Sequence, residues 1–242
     1  MRIPKKRETP TMHRIEACIF DLDGVIVDTA RLHYMAWKRL AGSLGFDFSP
    51  GDNERLKGVS RMESLEILLS LVGLELGQAE KEVLASRKNG WYRESLSSLT
   101  RADILPGAEA FLDSCRAGGM RTALASASAS ARDVLRATGL SGAFDAVVDG
   151  TDACAPKPSP EIFLRAAAKL GAEPARCIVF EDAEAGIAGA RAAGMSSVGI
   201  GDRRSLGAAD LVLPGFSGLG LDGLIGMLAG ASGPSSAPTG RP

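Results

Sequence analysis

Two carboxylates spaced two residues apart, Asp21 and Asp23, follow a short apolar run and precede Gly24, a turn-forming residue. Side chains alternate along a β-strand, so both carboxylates can emerge on one side while Leu22 points toward the core. Ligands of a parallel α/β sheet bind outside the carboxyl ends of its strands, where close carboxylates repel unless a proton or cation intervenes. Mg²⁺, which prefers oxygen ligands, is the expected cation. One aspartate then serves as nucleophile and the other as general acid/base, unless the motif is only a solvated turn.

Three further groups of polar residues occur where later strands are predicted to end. They are Ser126 with Ala127 and Ser128, Lys157 between two prolines, and Glu181 with Asp182. Each group has an ordinary explanation, because small residues form turns and caps, lysines are usually solvated, and acidic residues favour the first turn of a helix. Their common position at the carboxyl ends of successive strands favours one shared site.

Phosphoryl transfer suits these residue types, because its transition state spreads negative charge over the transferred oxygens. In this interpretation Asp21 attacks phosphorus, while Lys157 and Mg²⁺ offset the charge. Ser126 and nearby backbone N–H groups hold phosphate oxygens, and Asp23 moves protons to and from a substrate hydroxyl. The predicted metal ligands are Asp21, Asp23, Glu181 and Asp182.

The elements that would position these residues alternate between strand and helix from residue 105 onward. Strands are predicted at 17–20, 121–127, 143–148, 177–180, 197–200 and 211–213, and helices at 108–117, 131–138, 160–170 and 183–193. Such alternation is typical of a parallel sheet covered by helices on both faces. Residues 30–100 show helical periodicity with no convincing strand, which predicts an inserted helical segment.

The predicted fold class is therefore α/β, with a doubly wound parallel-sheet (Rossmann-like) core and an inserted all-helical cap domain. We expect a disordered lead-in over residues 1–14 and a flexible tail over 230–242. The α/β catalytic core is expected over 15–28 and 101–229, and the helical cap over 29–100.

Composition excludes several classes of function. The 242 residues carry a net charge of -1, so the chain has no excess of positive charge that would attract nucleic acid or an anionic membrane. We expect neither as a partner. Four cysteines lack metal-ligand or Cys-x-x-Cys spacing, which favours a reducing, cytoplasmic location. No apolar stretch reaches the roughly 18 residues of a membrane span, and the basic start lacks the apolar segment of a signal peptide.

The motifs Asp21-Leu22-Asp23-Gly24-Val25, Ser126, Lys157 and Glu181-Asp182 resemble, in order, the four motifs of the haloacid dehalogenase superfamily. Further stretches resemble the β-phosphoglucomutase family within it. These are Asp28-Thr29-Ala30, His33, Trp37, Leu56-Lys57-Gly58-Val59-Ser60-Arg61, Arg87-Lys88-Asn89 and the run from Ala123 to Ser128. The resemblance covers about residues 15 to 215, and its cap motifs are the specific part.

This resemblance implies an isomerase that converts β-glucose 1-phosphate to glucose 6-phosphate through an aspartyl-phosphate on Asp21 and a β-glucose 1,6-bisphosphate intermediate, which also acts as activator. It makes Asp23 the general acid/base, whose position Thr29 helps to switch. Arg61 and Ser128 would hold the phosphate that is not transferred, and His33, Lys57 and Lys88 would lie near the sugar. The other implied substrate-binding residues are Trp37, Gly58, Ser60, Ser126 and Ala127, although Trp37 taken by itself is better explained by core packing than by a substrate contact.

One departure from the family pattern follows Ser128. The family commonly has Lys-Asn there to help hold the distal phosphate, whereas this chain has Ala129 and Ser130. Two alternatives remain open, namely a Mg²⁺-dependent sugar-phosphate phosphatase with the same core and an inert sugar-phosphate binding protein. A monomer is expected, because no exposed heptad or seam suggests a large assembly.

Overall fold

The computed structural model describes residues 15–56, 59–152 and 154–231. The predicted lead-in over 1–14 lies outside the described residues, as does the predicted tail apart from Gly230 and Ala231, which end a helix. Within the described residues, no helix is both long and apolar enough to cross a bilayer.

Six strands of the described chain form one sheet in which all neighbours are parallel, in the spatial order β3-β2-β1-β4-β5-β6. The strands are β1 (Ala17–Phe20), β2 (Arg121–Ala125), β3 (Ala146–Val148), β4 (Cys177–Glu181), β5 (Ser196–Ile200) and β6 (Leu211–Leu213). The predicted doubly wound parallel sheet is thereby confirmed, with β1 at its centre. Both edges of β1 are paired, so the residues after it sit at the middle of the carboxyl edge.

Helices cover the sheet and fill the insertion between β1 and β2. Those of the insertion are α1 (Ala30–Ser43), α2 (Pro50–Glu54), α3 (Arg61–Val72) and α4 (Gln78–Leu96). Those of the sheet layer are α5 (Ala108–Ala117), α6 (Ala131–Ala137), α7 (Glu161–Leu170), α8 (Glu184–Ala192), α9 (Arg203–Leu206) and α10 (Leu221–Ala231). Short 3₁₀ turns occupy Arg101–Asp103 and Pro174–Arg176.

The alternation of β1 divides its side chains between two hydrophobic clusters, one on each face of the sheet. Phe20 belongs to the cluster under α5 and α10, where it stacks on Phe180 with ring centroids 4.5 Å apart. Ile19 belongs to the cluster under α7, with Phe163. A third cluster lies within the helical insertion and has its own buried residues, including Leu40, Phe48, Leu65 and Leu68. The insertion therefore has a separate core, as the predicted cap requires.

Several element boundaries differ from the predicted ones. β2 ends at Ala125 rather than residue 127, because the Ser126 hydroxyl accepts a hydrogen bond from the Ser128 N–H at 3.1 Å and turns the chain. β3 begins at Ala146 rather than 143, because the Asp145 carboxylate accepts from the Thr122 N–H at 2.7 Å. The short helix α9 and the glycine-rich α10 were not predicted.

Candidate active site

Asp21 and Asp23 lie at the carboxyl end of β1, and the backbone there is fixed by both neighbouring segments. The Asp21 N–H donates to the Phe180 carbonyl at 3.0 Å, which carries the sheet register one residue past the strand. The Asp21 carboxylate accepts from the Asp23 N–H at 2.9 Å. Gly24 has φ of 82°, a left-handed value that favours glycine, and so permits the turn that follows.

Lys157 joins the ends of three adjacent strands. Its Nζ lies 2.6 Å from Asp21 Oδ1 and 3.3 Å from the Ala125 carbonyl, and it contacts the Glu181 carboxylate. Only 1% of the Lys157 residue is exposed. Burial lowers the pKa of this ammonium, but Asp21 and Glu181 outweigh that effect and raise the Lys157 pKa above its usual value. The lysine is therefore a fixed positive charge beside Asp21.

Asp23 has a different set of partners from Asp21. Its Oδ1 accepts a hydrogen bond from the Thr29 hydroxyl, and its Oδ2 lies 3.5 Å from the Ser126 hydroxyl. His33 Nε2, at 3.6 Å from Oδ1, faces the same carboxylate from α1. Burial and the nearby Asp21 charge raise the pKa of Asp23 to about 6, which is the range of a carboxyl that both gives and takes protons.

A buried lysine connects this carboxylate to the cap. Lys88, on α4, lies 2.9 Å from His33 Nδ1, and its ammonium faces the rings of Trp37 at 4.6 Å and Tyr92 at 5.1 Å. Burial lowers the pKa of Lys88 to about 7, although the Asp23 charge opposes this fall. Burial and the Lys88 charge also hold the pKa of His33 well below its usual value.

The loop after β2 is held from two sides. Ser126 accepts from the Ser128 N–H, and Ser128 in turn accepts from the Ser130 N–H at 3.2 Å. The Gly150 N–H, in the loop after β3, donates to the Ser128 carbonyl at 3.2 Å. The N–H groups of Ala127 and Ala129 have no hydrogen-bond partner among the described residues, so both remain available to an anion.

A cavity of about 270 Å³ lies between this edge of the sheet and the cap helices. That volume is near the lower end of the roughly 300–1,000 Å³ of small-molecule sites. Many of the predicted residues line it together: Asp21, Asp23, His33, Trp37, Ser60, Arg61, Lys88, Ala127, Ser128 and Asp182. Other predicted residues, Thr29, Ser126, Lys157 and Glu181, are buried behind the wall. Lys57 and Gly58 lie outside the described residues.

Four wall residues were not singled out by the sequence analysis, namely Asn53 on α2, Met62 and Ser64 on α3, and Gly150. Asn89 on α4 also lines the cavity and was quoted only as part of the motif Arg87-Lys88-Asn89. Gly150 gives a general turn signal that does not mark a site. The two asparagines had a signal that could have been used, because they are the only asparagines in the whole chain.

The predicted metal ligands divide into two groups by their contacts. Asp21, Asp23 and Asp182 line the cavity together, and an oxygen-only set of this kind suits Mg²⁺. The Glu181 carboxylate is instead occupied, since it contacts Lys157 and accepts from the N–H groups of Asp182 at 3.1 Å and Ala183 at 3.2 Å. Among the described residues no three His, Cys, Asp or Glu side chains form a metal-binding cluster. The carboxylates of Asp21, Asp23 and Asp182 are therefore the oxygen donors that face the cavity, and Glu181 lies behind them.

Comparison with known proteins places this geometry in context. A model of haloacid dehalogenase-like hydrolases matches residues 15–194. The chain is 45% identical over 210 residues to the β-phosphoglucomutase of Bacillus subtilis, with 86% of this chain and 93% of that protein covered. A crystal structure of β-phosphoglucomutase from Clostridium difficile superposes with a TM-score of 0.85 at 41% identity, covering 89% of this chain and 98% of that one. The chain is also 33% identical over 187 residues to a fructose-1-phosphate phosphatase of Escherichia coli, with 77% and 97% covered.

Proposed function

The chain belongs to the haloacid dehalogenase-like hydrolase family and shares 45% identity with a β-phosphoglucomutase, and we propose that it interconverts β-glucose 1-phosphate and glucose 6-phosphate. The observation that carries the proposal is the different environment of the two carboxylates. Asp21 is paired with the buried ammonium of Lys157, whereas Asp23 contacts Thr29 and faces His33 on the cap side. A nucleophile and a separate proton-transfer group are the two functions that the mutase reaction requires.

Asp21 is the proposed nucleophile. A carboxylate oxygen of Asp21 attacks the phosphorus of β-glucose 1,6-bisphosphate, the bond from phosphorus to the sugar oxygen breaks, and that oxygen takes a proton from Asp23. In the reverse step Asp23 removes the proton from a sugar hydroxyl, which attacks the aspartyl-phosphate and releases Asp21. Transfer to the C6 hydroxyl followed by transfer from C1 converts β-glucose 1-phosphate to glucose 6-phosphate and restores the phosphorylated enzyme.

The remaining core residues stabilise the transferred group. Lys157 supplies a fixed positive charge beside Asp21, and Glu181 anchors that lysine rather than contacting the phosphate. The Ala127 N–H is the proposed backbone donor to the phosphate oxygens, and Ser126 holds the loop that presents it. Bound at Asp21 and Asp182, Mg²⁺ would neutralise charge on the phosphate oxygens.

The cap residues complete the site around the sugar. Arg61 and Ser128 are proposed to hold the phosphate that is not being transferred, a task suited to a forked guanidinium. Ala129 also lies in the wall, but its side chain has no donor for this phosphate. Ser130 is buried, and its bond to Ser128 is made by its main-chain N–H rather than by its hydroxyl. Arg61 and Ser128, with the Ala129 N–H as a further donor, are therefore proposed to hold the distal phosphate where the family has Lys-Asn. Lys57, Gly58, Ser60, Trp37, His33 and Lys88 remain proposed sugar-side residues.

Closure of the cap protects the intermediate from water. An aspartyl-phosphate that is exposed to water is hydrolysed, which makes the same core a phosphatase. The monomeric state and the cytoplasmic location stay predictions.

A coupled assay for glucose 6-phosphate tests the proposal. The reaction contains β-glucose 1-phosphate, Mg²⁺ and a trace of β-glucose 1,6-bisphosphate, and free phosphate is followed in the same tube. We expect glucose 6-phosphate without matching phosphate release, loss of the reaction after chelation, and recovery with added Mg²⁺. The Asp21→Asn variant should be inactive, because an amide is not a nucleophile at phosphorus. Phosphate release without glucose 6-phosphate would instead assign a phosphatase.

A further inference from the structure

Asp149 is a buried carboxylate near the cavity that the phosphate chemistry does not use. It follows β3 directly, and its Oδ1 accepts hydrogen bonds from the Thr151 N–H at 2.9 Å and from the Thr151 hydroxyl at 2.5 Å. Its Oδ2 forms an ion pair with Nε of Arg132 on α6 at 2.8 Å. The Asp149 side chain is fully buried, and a buried carboxylate without a cation is costly. Arg132 therefore holds the loop after β3 against α6.

This ion pair is one of two contacts that join the loop after β3 to the chain around Ala129. The Gly150 N–H donates to the Ser128 carbonyl at 3.2 Å, and the preceding residue, Asp149, contacts Arg132. Two consecutive residues of one loop are thus attached to positions 128 and 132 of the other segment. Ala129 lies between those two positions, so the contacts fix its main chain from both sides.

The position of the main chain matters at Ala129 because this residue has no other donor. A long cationic side chain could reach a phosphate from several backbone positions, whereas a main-chain N–H binds an anion only from the place where the loop holds it. The Ala129 N–H has no hydrogen-bond partner in the part of the chain that the structure describes, and the residue lines the cavity. Its use as a donor requires a rigid loop.

We propose that Arg132 and Asp149 are positioning residues for the phosphate that is not being transferred. Their ion pair holds the loop after β2 so that the Ala129 N–H stays at the cavity wall. Neither side chain is among the described residues that line the cavity, so the pair acts through Ala129 and not by contact with substrate. This inference rests on the proposed function, because it requires a substrate with a second phosphate.

A second arginine–aspartate pair on the same helix provides a matched control. Arg136 lies 3.0 Å from Asp133, three residues earlier on α6, and both side chains are exposed to solvent. Such a pair contributes little to stability and joins no separate segments of the chain. Arg136→Met therefore removes the same kind of charge as Arg132→Met, and it should match the wild type in every assay.

The experiment separates binding of the distal phosphate from the chemistry at Asp21. Full-length wild type, Arg132→Met, Asp149→Asn, the double variant and Arg136→Met are assayed for glucose 6-phosphate formation at varied β-glucose 1,6-bisphosphate. We expect Arg132→Met and Asp149→Asn to raise the KM for the bisphosphate about tenfold, as loss of one charge-assisted hydrogen bond does, while kcat stays within about twofold. The rate at which the aspartyl-phosphate loses phosphate to water should be unchanged, because water carries no distal phosphate.

The double variant guards against a simple loss of stability. Arg132→Met alone leaves a buried carboxylate without a cation, whereas the double variant has no uncompensated charge, and thermal unfolding compares the two. Its KM should rise no further than that of either single variant, because one interaction has been removed in each case.

Three outcomes overturn the inference. An unchanged KM in the folded double variant would show that the pair does not support the subsite. Single-variant effects that multiply in the double variant would show that the two residues act separately. Equal losses in kcat and in phosphate transfer to water would assign the pair a general structural role. If no glucose 6-phosphate forms, the proposed function fails, and the KM for phosphate release from the same bisphosphate still tests the pair.

Discussion

Asp21 and Asp23 are neighbours in the sequence but are controlled by distant parts of the chain. Lys157 reaches Asp21 from the loop before α7, whereas Thr29 reaches Asp23 from the residue that precedes α1. The first carboxylate is therefore held by a lysine from the α/β core, and the second is oriented by the chain that enters the cap. This division separates nucleophilic attack from proton transfer at the scale of single residues.

Removal of the Asp23 carboxylate should slow the chemistry while the fold is retained. We expect Asp23→Asn to lower kcat by about 10²- to 10⁴-fold, the usual contribution of a general acid/base. Asp28→Asn is the matched control, because Asp28 is exposed and its N–H bond to the Asp103 carbonyl is unaffected. Steady-state rates of both variants check this, and equal losses would contradict a proton-transfer role for Asp23.

Burial of Lys88 should make the stability of the protein depend on pH. Its native pKa of about 7 lies below the unfolded value of 10.5, so the unfolded chain binds more protons between these values and stability rises with pH there. The free energy of unfolding should rise by up to roughly 1.4 kcal/mol per pH unit relative to Lys88→Met, which lacks this group.

Denaturant unfolding between about pH 7 and about pH 9 measures that difference. Lys81→Met is the control on the same helix, because Lys81 forms a 2.7 Å ion pair with Glu66 near the surface. Parallel pH curves for the wild type and Lys88→Met would show that Lys88 keeps an ordinary pKa in the folded protein.

At the scale of elements, the loop after β3 supports the loop after β2. A Cβ placed on Gly150 would lie 2.5 Å from the Ala127 carbonyl oxygen and 2.6 Å from the Ala129 nitrogen. Both atoms belong to the backbone, so neither can rotate away. Position 150 therefore has room for a hydrogen on Cα but not for a side chain. The loops after β2 and β3 together form one wall of the cavity.

A methyl group at position 150 should displace that wall. We expect Gly150→Ala to cost about 1–3 kcal/mol of stability, as overpacking does, and to raise KM for the sugar phosphate. Gly142→Ala is the matched control between α6 and β3, because a Cβ there meets nothing within 4 Å. Thermal unfolding and steady-state kinetics of the two variants check this, and an unchanged KM in Gly150→Ala would exclude the proposed support.

Some helices and strands could be predicted from the sequence, and others could not. The strands of the parallel sheet were predicted because strands buried on both faces are continuous apolar runs, as in residues 177–180. Helix α10 was missed because its glycines lower helix propensity. The contact between Glu181 and Lys157 could not be predicted from the sequence. The sequence shows that Glu181 precedes Asp182, but not which of the two carboxylates contacts the lysine. Asn53 and Asn89 carry no periodic signal.

At the scale of the whole molecule, one of three hydrophobic clusters lies within the cap, whereas the cluster on one face of the sheet also includes Leu32, Ala36, Tyr92 and Leu96 from cap helices α1 and α4. The cap cluster contains Leu65, which is fully buried, and the cluster on one face of the sheet contains Leu124, equally buried. The cavity lies between the cap and the carboxyl edge of the sheet, and the cluster that contains Leu65 consists of cap residues only. Substitutions in the cap core, and not those in the sheet core, should therefore change how often water rather than a sugar hydroxyl accepts the phosphoryl group.

Matched truncations in the two cores should separate these contributions. Leu65→Ala and Leu124→Ala should each lower the free energy of unfolding by about 2–5 kcal/mol. We expect only Leu65→Ala to increase phosphate released per glucose 6-phosphate formed, because a loosened cap admits water. Both products measured in one reaction decide this, and an equal ratio in the two variants would exclude a sealing role for the cap core.

The central position of β1 also governs the order in which the protein can be completed during synthesis. The strand is made first, yet its partners are residues such as Arg121 on one edge and Cys177 on the other, which leave the ribosome much later. The cap lies between them and consists of helices, whose contacts are local and form early. A nascent chain that ends before Glu181 therefore carries Asp21 on an unfinished sheet, with one edge of β1 still unpaired.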